Sequence, residues 1–115
     1  MKTVGSIIFA ALTNNSDFTA VMSKRLYPVI GLSDVKTPYA VYRIRQMPAS
    51  MNADEFDVAV FGFFEANKAT EAMAFNDKMV EFFKDSNDFF YISSEIDYID
   101  ENQQIIIMFN LKITK

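Results

Sequence analysis

The 115-residue sequence contains no cysteine, no histidine and no tryptophan, and only three glycines and three prolines. Without cysteine, the chain has no disulfide and no thiolate nucleophile. Without histidine it lacks the commonest general base and metal ligand, which excludes Ser-His-Asp chemistry and zinc or haem held by histidine or cysteine. Glycines at 5, 31 and 62 cannot form a Gly-rich phosphate loop. The sequence therefore predicts a protein that is not an enzyme and uses no cofactor or metal.

Long apolar runs and a basic surplus are also missing. No run approaches the roughly 18 residues that a membrane-spanning helix needs. Residues 7–12 are apolar like a short signal-peptide core, but polar residues frame them closely, so we expect no secretion by a signal peptide. The net charge of -4 disfavours nucleic acid, because phosphate binding needs a basic face. We expect neither a membrane nor a nucleic-acid sequence as a partner.

Bulky apolar residues are abundant instead. Half of the sequence is hydrophobic, including 12 phenylalanines and 5 tyrosines. This composition is typical of a globular protein with a large core. No repeat, low-complexity stretch or linker divides the chain, so we predict one domain over residues 1–115.

Three helices are predicted from apolar periodicity. Residues 3–13 place apolar side chains three and four positions apart, as one face of an amphipathic helix requires. A second, short helix runs from about residue 16 to 22, capped by Ser16 or Asp17. A long helix covers residues 68–84 and is opened by Asn67 or Thr70.

Five strands are predicted at about 25–30, 39–46, 56–64, 89–99 and 104–114. Pro28 predicts that the first strand lies at a sheet edge or ends there, and apolar residues on both faces place 56–64 near the middle. Gly62 marks a bulge or a close backbone approach. A polar turn joins the last two strands as a hairpin, and alternate apolar residues in 104–114 face the core. The fold class is therefore α+β: an antiparallel or mixed sheet with an N-terminal helix, a short second helix and one long helix packed on it.

Carboxylates are the only clustered side chains that could bind a metal ion or take part in a reaction. Such clusters can hold Mg²⁺ or Ca²⁺, or supply an acid and a base. Neither cluster has the spacing of a calcium-binding loop, so solvated strand ends are the favoured interpretation. The two clusters are Asp54, Glu55 and Asp57, and Asp97, Asp100 and Glu101.

Alternating aromatic residues allow two interpretations. Such a row can stack nucleic-acid bases on a sheet, or it can fill a core. The acidic surroundings favour core packing. The residues concerned are Phe61, Phe63, Phe89 and Tyr91.

One pair of segments carries a family resemblance. The run Arg25-Leu26-Tyr27-Pro28, followed after a loop by residues 37–42 (Thr-Pro-Tyr-Ala-Val-Tyr), resembles the signature of the bacteriophage tail completion, or tail terminator, proteins. Family members similarly have a helix ending near a Leu-Thr pair, here Leu12-Thr13, a strand like residues 57–61, and a closing hairpin. The order of elements agrees over nearly the whole chain, whereas residues 47–55 lack the Gly-containing turn of many members.

The resemblance implies a non-enzymatic α+β subunit of a phage or prophage tail. Such subunits form a ring, commonly a hexamer, that caps the finished tail tube and forms part of the joint to the head. The implied partners are other copies of the chain, the tail tube and the head-tail connector proteins. The implied location is the virion tail, or the host cytoplasm during assembly.

Subunit contacts are expected in segments 25–28, 38–45 and 47–55, which offer strand edges and a methionine-containing loop. In that loop, adaptable contacts and an ordinary connection remain equal alternatives for the methionines. The predicted contact residues are Arg25, Tyr27, Pro28, Tyr39, Arg43, Arg45, Met47 and Met51.

Charge is distributed unevenly along the chain. Residues 1–45 hold six basic and two acidic side chains, whereas residues 46–115 hold five basic and thirteen acidic ones. In a ring, one patch meets a different patch on the neighbour, so Arg43, Arg45 and Lys36 are predicted to meet acids of an adjacent subunit. Alternatively, the asymmetry disappears in space because both halves pair within one sheet.

Two other functional classes are compatible with the sequence. One is a small cytosolic α+β adaptor that binds proteins and has no phage role. The other is a carboxylate-dependent enzyme or small-ligand carrier, which requires a deep pocket with convergent acids. Neighbouring genes for tail proteins would separate the phage subunit from the adaptor.

Overall fold

The computed structural model describes residues 2–23, 25–28, 38–47, 55–99, 101 and 103–114. They form three α-helices and five strands in the predicted order, so the α+β class is confirmed. The helices are α1 (Lys2–Thr13), α2 (Ser16–Met22) and α3 (Ala69–Asp85). The strands are β1 (Leu26–Pro28), β2 (Tyr39–Met47), β3 (Glu55–Glu65), β4 (Phe90–Ile99) and β5 (Gln104–Thr114).

The cap of α2 differs from the prediction. The side-chain oxygen of Asn15 accepts a hydrogen bond from the backbone N–H of Phe18 at 2.9 Å. Asn15 has an extended backbone, as an N-cap residue requires, whereas Ser16 and Asp17 already lie inside the helix. The prediction of Ser16 or Asp17 as the cap was therefore wrong by one or two positions.

The start of α3 also differs. A 3-10 turn at Ala66–Lys68 leads into the helix, and Lys68, which immediately precedes α3, makes no side-chain cap hydrogen bond. Asn67 lies within this turn and Thr70 within α3 itself, so neither opens the helix as predicted. The backbone N–H of Ala66 donates to the carbonyl of Gln103 at 3.2 Å. This hydrogen bond links the start of the 3-10 turn to the turn of the β4–β5 hairpin.

The strands form one sheet in the order β1-β2-β3-β5-β4. The central position of β3 and the edge position of β1 are both as predicted. Strand β1 pairs with β2 in parallel, and the other three pairs are antiparallel, so the sheet is mixed. The parallel pair arises because β1 and β2 are not joined as a hairpin.

All three helices pack on one side of the sheet, which we call the covered face. Phe75 of α3 lies against Phe64 and Phe109, and Gly5 of α1 lies beside Tyr42. The five alternating residues of β5 are buried there, as predicted. They are Ile105, Ile107, Phe109, Leu111 and Ile113.

Gly62 marks a close approach and not a bulge. Its pairing with Ala40 and Ile107 continues without a register shift. A β-carbon at this position would lie 3.3 Å from the terminal methyl of Met22 and 3.7 Å from the ring of Phe75. The missing side chain therefore lets α2 and α3 pack closely over β3.

Candidate functional site

The predicted contact segments 25–28 and 38–45 come together at one side of the sheet. Tyr27 lies opposite Val41, and Pro28 opposite Tyr42, in the parallel β1–β2 pair. The guanidinium of Arg25 donates from Nε to the carbonyl of Pro38 at 2.7 Å. Arg25 therefore fastens the two strands within the subunit, while Pro28 is exposed at the edge.

Tyr39 lies on the side of the sheet that faces away from the helices, which we call the open face. Its ring stacks on that of Phe63, with centroids 4.8 Å apart and 16° between the planes. Burial raises the pKa of the Tyr39 phenol above its ordinary value. Such a cross-strand aromatic pair stabilises the β2–β3 register.

Arg43 and Arg45 follow Tyr39 on the same face. The guanidinium carbon of Arg43 lies 5.4 Å from the centre of the Phe61 ring, a cation–π contact. Arg45 Nη2 lies 3.0 Å from the Oδ2 of Asp57. The Arg45 side chain is nevertheless 71% exposed, so this ion pair contributes about 0–1 kcal/mol.

The Arg45–Asp57 pair bears on the two interpretations of the charge asymmetry. One basic group from the first half of the chain does meet an acid from the second half within the same sheet, as the intramolecular alternative requires. Arg43, in contrast, meets an aromatic ring. Pairing of charges within the sheet therefore explains the position of Arg45 but not that of Arg43. Contact of these arginines with acids of an adjacent subunit stays a prediction.

The aromatic row is divided between the two faces. Phe89 is buried and Tyr91 packs against the core, as predicted. Phe61 and Phe63 are half-buried on the open face, so their assignment to the core was wrong. Both faces of β3 are apolar, and the sequence of the strand alone does not distinguish the face that the helices cover.

The carboxylate clusters are not assembled into a chemical site in the described part of the chain. Glu55 lies 3.6 Å from the ammonium of Lys112, and Asp57 pairs with Arg45. No group of three carboxylates able to hold a metal ion occurs among the described residues. Asp54 and Asp100 lie outside them.

A shallow trough of about 720 Å³ lies on the open face, between β2 and β4. Arg43, Asp57, Asn110 and Lys112 are among the residues that line it. Its walls are the strands themselves and its polar groups lie on the surface, which is unlike the deep pocket that an enzyme or carrier requires.

The predicted methionine loop is only partly described. Met47 is the last residue of β2, and Glu55, at the end of the predicted contact segment 47–55, is the first residue of β3. Met51 lies outside the described residues, as does Lys36.

The sequence analysis missed one surface, the outer edge of β4. Six large hydrophobic side chains are exposed in the described part of the chain, and four of them lie on this strand. A fifth, Met73 of α3, lines a groove of about 250 Å³ together with Ile96 and Tyr98. The four β4 residues are Phe90, Ile92, Ile96 and Tyr98.

A register shift explains why the exposed residues of β4 lie on both faces of the sheet. The pairing with β5 shifts between Tyr91 and Ser93, so Ile92 is an extra residue in the strand. Phe90 therefore lies on the open face, opposite Lys112, whereas Ile96 lies on the covered face, opposite Ile107. The broken alternation in residues 89–99 was the available signal for an edge strand.

None of the helices in the described residues is both long and apolar enough to cross a membrane. The structure thus presents two kinds of surface: an open sheet face with Arg43 and Arg45, and an apolar edge at β4.

Comparison of the sequence with protein families and with curated proteins finds no match. The fold, in contrast, is similar to that of a chain in a solved structure described as the virion of a native gene transfer agent particle. The TM-score is 0.70, the sequence identity is 9%, and the similarity covers 93% of this chain and 90% of the other. This chain therefore shares the fold of a virion component over nearly its whole length.

Proposed function

We propose that this chain is a structural subunit of a phage or prophage virion. The observation that carries the proposal is the fold similarity to a chain of a virion particle, which extends over 93% of the sequence. The absence of cysteine and histidine from the sequence agrees with a structural role. We further propose that the protein catalyses no reaction.

The more specific proposal is a tail completion, or tail terminator, protein. In this role a ring of subunits caps the tail tube and contributes to the joint with the head. The proposal is supported by the residues of the family resemblance, because Arg25, Pro28, Pro38 and Tyr39 lie together in the β1–β2 corner. It is also supported by the surfaces at β2 and β4, which lie toward opposite edges of the sheet, so that one can meet the other on a neighbouring subunit of a ring.

Deletion of the gene from an inducible prophage tests this role. The expected particles are uncapped tails of irregular length and separate heads, seen by electron microscopy of the induced lysate. A copy of the gene on a plasmid should restore joined particles. Joined, infectious particles of normal tail length after deletion would contradict the proposal and favour a host adaptor.

A further inference from the structure

The outer edge of β4 is built for pairing with another strand. The strand has ten residues, and β5 is its single neighbour among the described residues, so one row of its backbone N–H and C=O groups has no partner strand there. The opposite edge strand, β1, has three residues and ends at Pro28, which cannot donate a hydrogen bond. A long edge with exposed apolar side chains is a template for association with another chain.

The charge of this edge selects the partner. Glu95 and Asp97 are exposed and lie on the open face, opposite Met108 and Ile106 of β5. Neither carboxylate belongs to an ion pair among the described residues. Asp97 instead accepts a hydrogen bond from the backbone N–H of Tyr98 at 2.8 Å.

Pairing of β4 with β4 of a second copy is disfavoured by this charge. An antiparallel contact about a two-fold axis would bring two copies of Glu95 and two of Asp97 to the same face of a joined sheet. Like charges on neighbouring positions destabilise strand pairing. The edge therefore favours a partner strand with basic side chains.

Strand β2 of a second copy has the basic side chains that such a partner needs. Arg43 and Arg45 are exposed on the open face with the same two-residue spacing as Glu95 and Asp97, so both pairs of charges can meet when the sheets join edge to edge. Strand β1 covers β2 only as far as Tyr42, and no strand in the described part of the chain lies outside residues 43–47. Arg45 has free donors beyond its contact with Asp57.

We propose that two copies of this chain associate head to tail, with the β4 edge of one copy against residues 43–47 of β2 in the next. Glu95 and Asp97 then face Arg43 and Arg45 across a continuous sheet. The contact covers apolar residues of the β4 edge. Because the two patches differ, the same contact repeats from copy to copy and closes into a ring if the rotation allows. The ring geometry rests on the proposed tail function, whereas the pairwise contact does not.

Charge reversal in pairs tests the contact. The mass of the wild-type chain in sedimentation should rise with concentration. The variant Glu95→Lys/Asp97→Lys and the variant Arg43→Glu/Arg45→Glu should each lose this rise. An equimolar mixture should regain it, because each mutated edge then finds an opposite charge on the other variant. The wild-type association should weaken as salt is raised.

Glu71→Lys/Glu81→Lys provides the matched control. It makes the same charge change as Glu95→Lys/Asp97→Lys at exposed positions of α3, outside both β4 and β2, and should associate like the wild-type chain. Circular dichroism of every variant checks that the fold is retained. A mixture that stays monomeric, or single variants that associate like the wild-type chain, would overturn the proposal.

Crosslinking gives a second readout that does not depend on charge. The chain has no cysteine, so a single introduced thiol is unique. Ser94→Cys on β4 and Gln46→Cys on β2 both lie on the covered face and are directly opposite each other when Glu95 and Asp97 face Arg45 and Arg43. They should crosslink with a short bismaleimide when the two variants are mixed at high concentration. Crosslinks between Ser94→Cys copies alone would show two-fold pairing and overturn the head-to-tail contact, as would the absence of any crosslink.

The two proposals fail separately. Normal particles from the deletion strain would remove the tail function and leave the crosslinks of the purified chain unaffected. Defective particles from the deletion strain, together with absent mixed crosslinks, would retain the tail function and remove this contact.

Discussion

At the scale of single residues, two glycines show how close packing around the helices depends on a missing side chain. Gly62 admits Met22 and Phe75 to the surface of β3. Gly5 lies within α1, where a β-carbon would meet the Tyr42 hydroxyl at an ordinary 3.4 Å. Two of the chain's three glycines thus occupy sites with different steric demands.

Gly62→Val should destabilise the protein by about 1–3 kcal/mol, because overpacking of a filled core forces its neighbours to move. The free energy of unfolding, measured by urea denaturation, checks this. Gly5→Ala is the matched control and should stabilise the protein by about 0.5–1 kcal/mol, since glycine is costly inside a helix. Equal effects of the two substitutions would contradict the close approach at Gly62.

At the scale of elements, α3 shows how much of an apolar pattern tertiary contacts use. The predicted apolar face was broad, but the helix buries only Ala72, Phe75, Met79 and Phe83. Met73 belongs to the same pattern, yet its side chain is 55% exposed beside β4. The helix thus places one row of apolar residues in the core, while Met73 lies at a surface groove.

Met79→Ala and Met73→Ala form a matched pair on this helix. Loss of the buried Met79 side chain should cost about 2–5 kcal/mol of unfolding free energy, because it leaves a cavity. Loss of Met73 should change stability by no more than about 0.5 kcal/mol, as for most surface substitutions. Thermal or urea unfolding of both variants measures the difference, and a similar cost for both would show that Met73 is part of the core.

At the scale of the whole molecule, the sheet is covered by helices on one side and open on the other. Three long strands, β2, β3 and β5, lie inside the sheet. Strand β4 is a long edge strand with exposed apolar side chains, and no described strand pairs with its outer side. Natural sheets protect such edges with charges, bulges or short strands, and β4 carries a bulge and two acids. The exposed apolar residues of β4 favour association of the purified chain, whereas its bulge and two acids oppose it.

Ile96→Lys should raise the solubility of the protein, because a lysine at an edge strand opposes strand pairing. Its side chain is 42% exposed, so the unfolding temperature should change little. Static light scattering against concentration measures the association, and differential scanning calorimetry measures stability. A large fall in unfolding temperature would show that Ile96 supports the fold and not an interface.

The amino-acid pattern by itself determined the elements of this protein. The period of apolar residues specified α1, α3 and β5, and the apolar character of both faces specified β3 as a central strand. Pro28 indicated that β1 lies at a sheet edge or ends there, and β1 does both. These features are local or nearly local in the chain, so the sequence predicts them. The absence of histidine and cysteine likewise bounds the chemistry without any structure.

The tertiary structure alone decided which surfaces remain open. Phenylalanine is typical of protein cores, but Phe61 and Phe63 lie outside the core because the helices cover the other face of β3. The edge position of β4, and its separation by β3 and β5 from Arg43 and Arg45 on β2, follow from the strand order, which short-range patterns do not specify. Burial depends on what packs across a face, and that information resides in contacts between residues far apart in the chain.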